Sequence, residues 1–193
     1  MTGTWFSGWA TGDIVTAAEF RKGIGSLYDT TLGAAAAQID VTGIPATYAH
    51  LMLMLYARAD ATGPAFVNAL MRLNNDTSAN YDYELMQCGG TAINAAEWFA
   101  QTGSWVGYIP DASAAANLFG TAMIQIPHYT NAVNNKAIIS AAGYKTGGAT
   151  GSMGSVLAST HWRSNAAVNR LTLFLSAGNF VAGTRLTLYA MGA

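Results

Sequence analysis

Residues 169–191 read NRLTLFLSAGNFVAGTRLTLYAM and decide the fold, because they contain the two clearest strand patterns in the chain. The leucines at alternating positions are Leu171, Leu173, Leu175, Leu186 and Leu188. Side chains two residues apart lie on the same face of a strand, so the pattern predicts half-buried strands over 169–176 and 183–191. The intervening Ala177-Gly-Asn179 has the composition of a turn.

Similar patterns recur upstream. Residues 48–58 read YAHLMLMLYAR, and their apolar side chains on both faces predict a central strand covered on both sides. Other predicted strands are 34–41, 66–73, 81–86, 97–108, 121–129, 137–145 and 156–162. The polar run 74–80 predicts a hairpin turn between 66–73 and 81–86. Many strands without alternating helices predict an all-β, antiparallel sandwich.

The first 29 residues have a different character and are predicted to form an anchoring arm ahead of a β-sandwich domain at 30–193. Thr16 and Glu19 have the spacing of a capping box, and Phe20, Ile24 and Leu27 fall on one helical face behind it. We therefore expect a short helix over residues 17–29. The upstream aromatic residues Trp5, Phe6 and Trp9 are expected to dock, together with this helical face, on a partner protein.

Charged residues make up only 10% of the 193 residues, and the formal net charge is −1. A weakly charged surface provides little repulsion between copies, which favours a protein that works in an assembly, although a soluble monomer with an Asn-, Ser- and Thr-rich surface remains an alternative. No basic patch indicates nucleic-acid binding, and no apolar run is long enough to insert into a membrane. The N-terminus does not resemble a secretory signal, so synthesis in a cytoplasm is expected.

Catalytic and metal-binding patterns are not found in the sequence. His50, His128 and His161 lack metal-ligand spacing, no nucleophile elbow or phosphate loop occurs, and the single Cys88 is expected to be a small buried residue. We therefore predict a non-enzymatic protein with no cofactor and no metal. A Ca²⁺ ion held by Asn74, Asp76, Asn80 and Asp82 is the weaker alternative, since the spacing is not that of an EF-hand.

Two polar or glycine-rich segments are predicted as exposed contact loops. The first contains Asn74, Asn75, Asp76 and Asn80, which favour turns. The second contains Gly147, Gly148 and Gly151. Loops at one end of a β-sandwich often contact partners.

Several segments together resemble structural proteins of tailed bacteriophages. They are Trp9-x-x-Gly-Asp-Ile-Val-Thr-Ala-Ala-Glu-Phe20, Ile44-Pro-Ala-Thr-Tyr-Ala-His-Leu51, Arg58-Ala-Asp60, Arg72-Leu-Asn-Asn-Asp76, Asn80-Tyr-Asp-Tyr83 and Asn179-Phe-x-x-Gly-Thr-x-Leu-x-Leu-Tyr189. The first is similar to a short leader ahead of tail and fibre domains. The others are similar to a jelly-roll-like β-sandwich domain, and the resemblance extends over most of the chain from Trp9 onward.

The resemblance implies a non-enzymatic protein of the virion surface that contacts other virion proteins, commonly as a homotrimer, and is made in the host cytoplasm. A tail-associated fibre or receptor-binding component for host attachment is the leading expectation. A capsid-decoration or head-fibre protein, a carbohydrate-binding module and a glycan-cleaving enzyme remain alternatives. A host-surface glycan or protein is the expected target of the tail-associated role.

Overall fold

The computed structural model describes residues 24–148 and 152–192, and this part of the chain is built from antiparallel strands. The strands are β1 (Ile24–Thr31), β2 (Gln38–Thr42), β3 (His50–Ala57), β4 (Phe66–Leu73), β5 (Tyr81–Gly89), β6 (Ala92–Gln101), β7 (Ser104–Pro110), β8 (Gly120–Ile126), β9 (Lys136–Lys145), β10 (Met153–Trp162), β11 (Arg170–Leu175) and β12 (Arg185–Met191). The prediction of an all-β, antiparallel protein is therefore confirmed. The described residues include no helix long and apolar enough to cross a membrane.

The strands form two sheets of different size. The large sheet has eight strands in the order β1-β12-β3-β8-β9-β10-β5-β6, and the small sheet has four in the order β2-β11-β4-β7. All neighbouring pairs are antiparallel. Strand β7 of the small sheet packs across β8, β9 and β10 of the large one.

The core lies between the two sheets and is made largely by alternate residues of the strands, although β6 contributes no buried residue. Leu51, Leu53 and Leu55 of β3 face it from the large sheet, and Leu171 and Leu173 of β11 face it from the small sheet. The leucine alternation in the two C-terminal segments is thus the pattern of core-facing positions, as predicted. Those two segments lie in different sheets, so the turn between them connects the layers of the core.

The two sheets approach each other closely at Gly107 of β7. A Cβ atom at this position would lie 2.4 Å from the Cβ of Ala142 on β9, which is closer than atoms can pack. Nearby, the buried Ser104 hydroxyl donates to the Thr160 hydroxyl across the layers at 2.9 Å, which satisfies one polar group on each sheet. Glycine is therefore required where the two layers touch.

The predicted helix over residues 17–29 is wrong for the part that the structure describes. Residues 24–29 belong to β1, which pairs with β12 through the register Ile24↔Met191 to Thr31↔Arg185. Leu27 and Tyr28 pack against the core. The sheet edge offers this segment a ladder of backbone hydrogen bonds, and that tertiary pairing overrides a helical pattern already weakened by Gly25. The boundary expected between residues 29 and 30 falls inside β1, and residues 17–23 lie outside the described residues.

Two further expectations about connections are corrected. Strands β4 and β5 do not form a hairpin, because β4 pairs with β7 and β11 whereas β5 pairs with β6 and β10. The run 74–80 therefore leads the chain from the small sheet to the large one. The single strand expected over 97–108 is two strands, since Thr102 and Gly103 separate β6 from β7 and the chain again changes sheets.

The expectation that 48–58 is covered on both sides is also wrong. Strand β3 lies inside the large sheet, but only its three leucines and Ala57 are buried, whereas Met54 and Tyr56 are 40% and 50% exposed. No described element covers this side of the sheet. A periodicity of two with apolar residues on both faces was compatible with full burial, and the pattern could not reveal that a second layer exists on one side only.

Candidate interaction surface

The residues predicted to anchor the chain are only partly described. Trp5, Phe6, Trp9 and Phe20 lie outside the described residues. Ile24 opens β1 opposite Met191, and Leu27 packs from β1 against the core. Leu27 therefore serves the fold of the β domain.

The predicted contact loop at 74–80 is held in place by its own side chains. Asn74 and Asn75 adopt positive φ angles of 50° and 56°, which asparagine tolerates better than most residues. The Asn74 amide donates to the carbonyl of Ala167 at 2.8 Å, and its oxygen accepts from the backbone N–H of Asn169 at 2.9 Å. Asn75 is exposed, whereas Asn74 is half-buried and ties this loop to the segment before β11.

Asp76 makes the strongest polar cluster of this loop. Its carboxylate accepts from the indole N–H of Trp162 at 2.7 Å, the amide of Asn80 at 3.0 Å and the backbone N–H of Ser78 at 2.8 Å. Burial alone would raise the pKa of Asp76, but these hydrogen bonds outweigh it and lower the pKa to about 2. The carboxylate oxygens are occupied by N–H donors, so the arrangement is a structural cluster rather than the Ca²⁺ site considered from the sequence.

The second predicted contact loop is described only at its ends. Gly147 is half-buried and Gly148 is exposed, and a Cβ at Gly148 would meet nothing within 4 Å. Gly151 lies outside the described residues. The backbone N–H of Thr146 donates to the carbonyl of Ser152 at 2.9 Å, which closes the base of the loop.

Two of the three histidines come together without forming a metal site. The rings of His50 and His128 are 4.9 Å apart, and Nδ1 of His50 accepts from the backbone N–H of His128 at 3.2 Å. His161 lies across the sheet on β10, opposite Asp82. In the described part of the chain, no group of three or more His, Cys, Asp or Glu side chains is placed to bind a metal ion.

The side of the large sheet that points away from the small sheet has an unusual composition, and we call it the outer face. Its middle row runs through cross-strand neighbours on six adjacent strands, and we call this the apolar row. The row consists of Met54, Met123, Ala141, Leu157, Met86 and Ala95. Most solvated faces of antiparallel sheets carry polar side chains. Here the four large side chains are 37–54% exposed.

The positions beside the apolar row on the four central strands are also uncharged. They are Met52, Tyr56, Thr121, Gln125, Ile139, Gly143, Ser155 and Ser159. Ile93 on the edge strand β6 extends the apolar surface and is 75% exposed. A contiguous apolar surface of this extent is typical of an interaction site.

Charges on the outer face lie away from the apolar row, with Lys145 at the end of β9 and the others near the two flanks of the sheet. On β12 the guanidinium of Arg185 binds the Asp29 carboxylate at 2.7 Å, and this hydrogen bond lowers the pKa of Asp29. At the opposite flank Glu84 on β5 lies directly across from Glu97 on β6. The centre of the face therefore offers no charge for a partner to recognise.

Shallow depressions break the outer face at three places. One of about 250 Å³ lies among Met86, Cys88, Ile93 and Leu157, and one of about 140 Å³ includes Met123 and Ile139. Cys88 is exposed there, so its expected burial is wrong. The strand predicted over 81–86 ended before this residue, and the side that it faces depends on the extension of β5 to Gly89 and on its pairing with β10.

The third depression is more polar than the other two. It has a volume of about 310 Å³ and is lined by Tyr56, Thr121, Arg185, Thr187 and Tyr189, among others. The ring of Tyr56 stacks on Phe119 with 4.7 Å between centroids and an interplanar angle of 10°. Sequence reasoning missed this group, because its members come from β3, β8 and β12 and only the sheet order brings them together.

Comparisons with known proteins do not assign a family. No family model matches the chain, and no curated protein matches it. Among solved structures, Scytalido-glutamic peptidase with a peptide-based transition-state analogue is 10% identical with a TM-score of 0.22, over 86% of this chain. The Eqolisin-family peptidase SCP-B in complex with the tripeptide Ala-Ile-His gives the same identity and TM-score. This chain spans 65% and 64% of the lengths of those two chains, and similarity at this level transfers neither fold nor activity.

Proposed function

We propose that this chain is a non-enzymatic structural protein of a bacteriophage particle, with a tail-associated fibre or receptor-binding component as the leading role. The outer face is the observation that carries the proposal, because a broad uncharged surface suits a protein that packs in an assembly. In this proposal the β domain faces outward, and the segment before β1 contacts the particle. Capsid decoration is the alternative placement.

The strand order supports the jelly-roll part of the proposal. Without β5, β6, β9 and β10, the two sheets have the orders β1-β12-β3-β8 and β2-β11-β4-β7. Renumbered along the chain, these orders are 1-8-3-6 and 2-7-4-5, which is the arrangement of an eight-stranded jelly roll. The four remaining strands widen one sheet as two insertions, between β4 and β7 and between β8 and β11.

The residues that carry the phage resemblance also contact one another, which supports treating them as one structural unit. The Asp60 carboxylate accepts from the backbone N–H of Asn179 at 2.7 Å and from its side-chain amide at 2.9 Å. Ala59 bridges Phe180. The Arg58 guanidinium donates to the carbonyl of Ala115 at 2.7 Å and orders the loop ahead of β8. These contacts hold the segments 58–60 and 179–180 next to each other in the fold.

The copy number of the protein in purified particles tests the proposal. Quantitative mass spectrometry against the major shell protein is expected to give a small fraction, as for a tail component. A ratio approaching that of the shell protein would replace the tail placement with capsid decoration. Absence from particles would refute both placements.

The anchoring part needs a separate variant. Deleting residues 2–23 leaves β1 intact, whereas deletion up to residue 29 would remove part of a strand. We expect the shorter deletion to abolish incorporation while the isolated protein stays folded. Incorporation at the normal level would show that the β domain alone makes the contact.

A carbohydrate-binding role is the second candidate, and the depression at Tyr56 favours it. A half-exposed tyrosine supported by Phe119, with Arg185 and Thr187 beside it, presents a flat ring and polar groups together. Flat aromatic rings with adjacent hydrogen-bonding groups suit pyranose rings. A glycan array with the intact protein and with Tyr56→Ala tests this role: binding that is lost in the variant would support it.

A further inference from the structure

We propose that the outer face of the large sheet is covered by the same face of a second copy of this chain. The inference goes beyond the proposed function and does not depend on it, because it concerns the contact between copies and holds for any assembly in which the protein occurs. It rests on two properties of the face, namely its composition and its area.

The composition of the outer face is not that of a surface that stays in contact with water. Strands β3, β8, β9 and β10 present Met, Ile, Leu and Tyr outward at positions where a solvated sheet would carry charged or strongly polar residues. Because the centre has no charge, a strongly charged partner would gain nothing from binding there. The partner that fits is itself a flat, uncharged and largely apolar surface, and the face of another copy has these properties.

The size of the face matches the requirement of a stable pair. Seven strands from β12 to β6 at about 4.8 Å spacing give a width of roughly 29 Å, and seven residues per strand at about 3.3 Å give a length of roughly 23 Å. The resulting footprint of roughly 670 Å², before side-chain relief is added, approaches the ~800 Å² per partner of a standard interface. Two apolar sheet faces can pack at about 10 Å, as in a β-sandwich.

The test compares the full chain with a face variant and a matched control. Met123→Glu combined with Leu157→Glu puts two charges on the apolar row. Val133→Glu adds a charge at a residue that is 81% exposed in a loop outside the face. Sedimentation equilibrium is expected to give at least twice the chain mass of 20.2 kDa for the unmodified protein and Val133→Glu, and 20.2 kDa for the face variant. We expect the dissociation constant of the face variant to rise at least tenfold.

The exposed thiol of Cys88 gives a second readout on the unmodified protein. It lies on the outer face opposite Ser155, so pairing of the faces buries it. Modification by a disulfide reagent is expected to slow at least tenfold as the protein concentration rises, and to be independent of concentration in the face variant. If circular dichroism shows that the face variant is unfolded, Ala141→Arg replaces it.

Two results would overturn the proposal. One is a monomeric mass for the unmodified chain at tens of micromolar. The other is association that persists in a folded face variant. Neither result bears on the presence of the protein in particles, so failure of this inference and failure of the proposed function are distinguishable.

Discussion

The two sheets present outer surfaces of opposite character. On the small sheet, Asp40 of β2 accepts hydrogen bonds from Arg170 at 2.8 Å and from Gln38 at 2.6 Å, and the Arg72 guanidinium lies 4.2 Å from the ring centre of Phe174. On the large sheet the corresponding surface carries methionines and leucine without charged neighbours at its centre. The first surface meets water through paired polar groups, whereas the second exposes apolar side chains to it. In the proposed pairing of two copies only the second surface is covered.

The largest loss of stability is expected at the tight contact between the two sheets. The effects of changes on the two outer surfaces are compared with it. Gly107→Ala places a Cβ 2.4 Å from that of Ala142 at a φ of 150°, so we expect a loss of about 2–4 kcal/mol in the free energy of unfolding. Chemical denaturation measures the loss. Gly148→Ala is the control, because its Cβ meets nothing within 4 Å. Adding Ala142→Gly should restore part of the stability of Gly107→Ala, and no restoration would place the strain elsewhere.

The loop 74–80 is expected to behave as part of the fold, not as a free contact loop. Asp76→Asn replaces an acceptor of three N–H donors by an amide that supplies a single acceptor oxygen, so we expect a loss of about 1–3 kcal/mol, or roughly 3–10 °C in Tm. Asn75→Asp is the matched control at an exposed neighbour, with an expected change within about 0.5 kcal/mol. Equal effects of the two changes would contradict the structural role of Asp76.

The same carboxylate predicts a dependence of stability on pH. The pKa of Asp76 is about 2 in the folded protein and 3.8 ordinarily, so its contribution is complete above about pH 4 and is lost as the pH falls towards 2. Thermal unfolding of the unmodified chain and of Asp76→Asn between pH 2 and 6 measures this. The difference in Tm between the two proteins should shrink with decreasing pH, and a constant difference would contradict the assignment.

Three parts of the chain show which features of the fold could be predicted from the sequence and which could not. The leucine alternation of β11 and β12 predicted the core correctly, because burial on one face imposes a period of two on any strand. The hairpin expected around Asn74–Asn80 was wrong, because turn chemistry does not reveal whether the next strand pairs with the previous one or changes sheets. Exposure of Met54 was missed for a related reason, since only the arrangement of the layers decides which apolar side is covered.

The polar network on the small sheet should contribute less than the loop. Asp40→Asn removes the ion pair with Arg170, whose side chains are 30% and 33% exposed, so we expect a loss of about 0.5–1 kcal/mol that decreases in high salt. Burial opposes ionisation of Asp40, but hydrogen bonds from Thr172 and Arg170 lower its pKa, so this contribution is present at neutral pH and is lost only in acid. Urea denaturation at low and high ionic strength measures it. A salt-independent loss would indicate that packing, not charge, stabilises this surface.

The smallest effect in the single chain is expected on the outer face. Met54 is already 40% exposed, so Met54→Gln should change the free energy of unfolding by less than about 0.5 kcal/mol at submicromolar concentration. Leu70→Gln on the small sheet is the matched comparison and should cost more, because Leu70 packs against the core. At higher concentration, the unmodified chain should gain stability through association, and Met54→Gln should gain less. A partner copy that binds only the folded form stabilises that form by mass action. Equal losses for the two variants at submicromolar concentration would mean that the face is already covered within one chain, and the contrast between the two surfaces would then disappear.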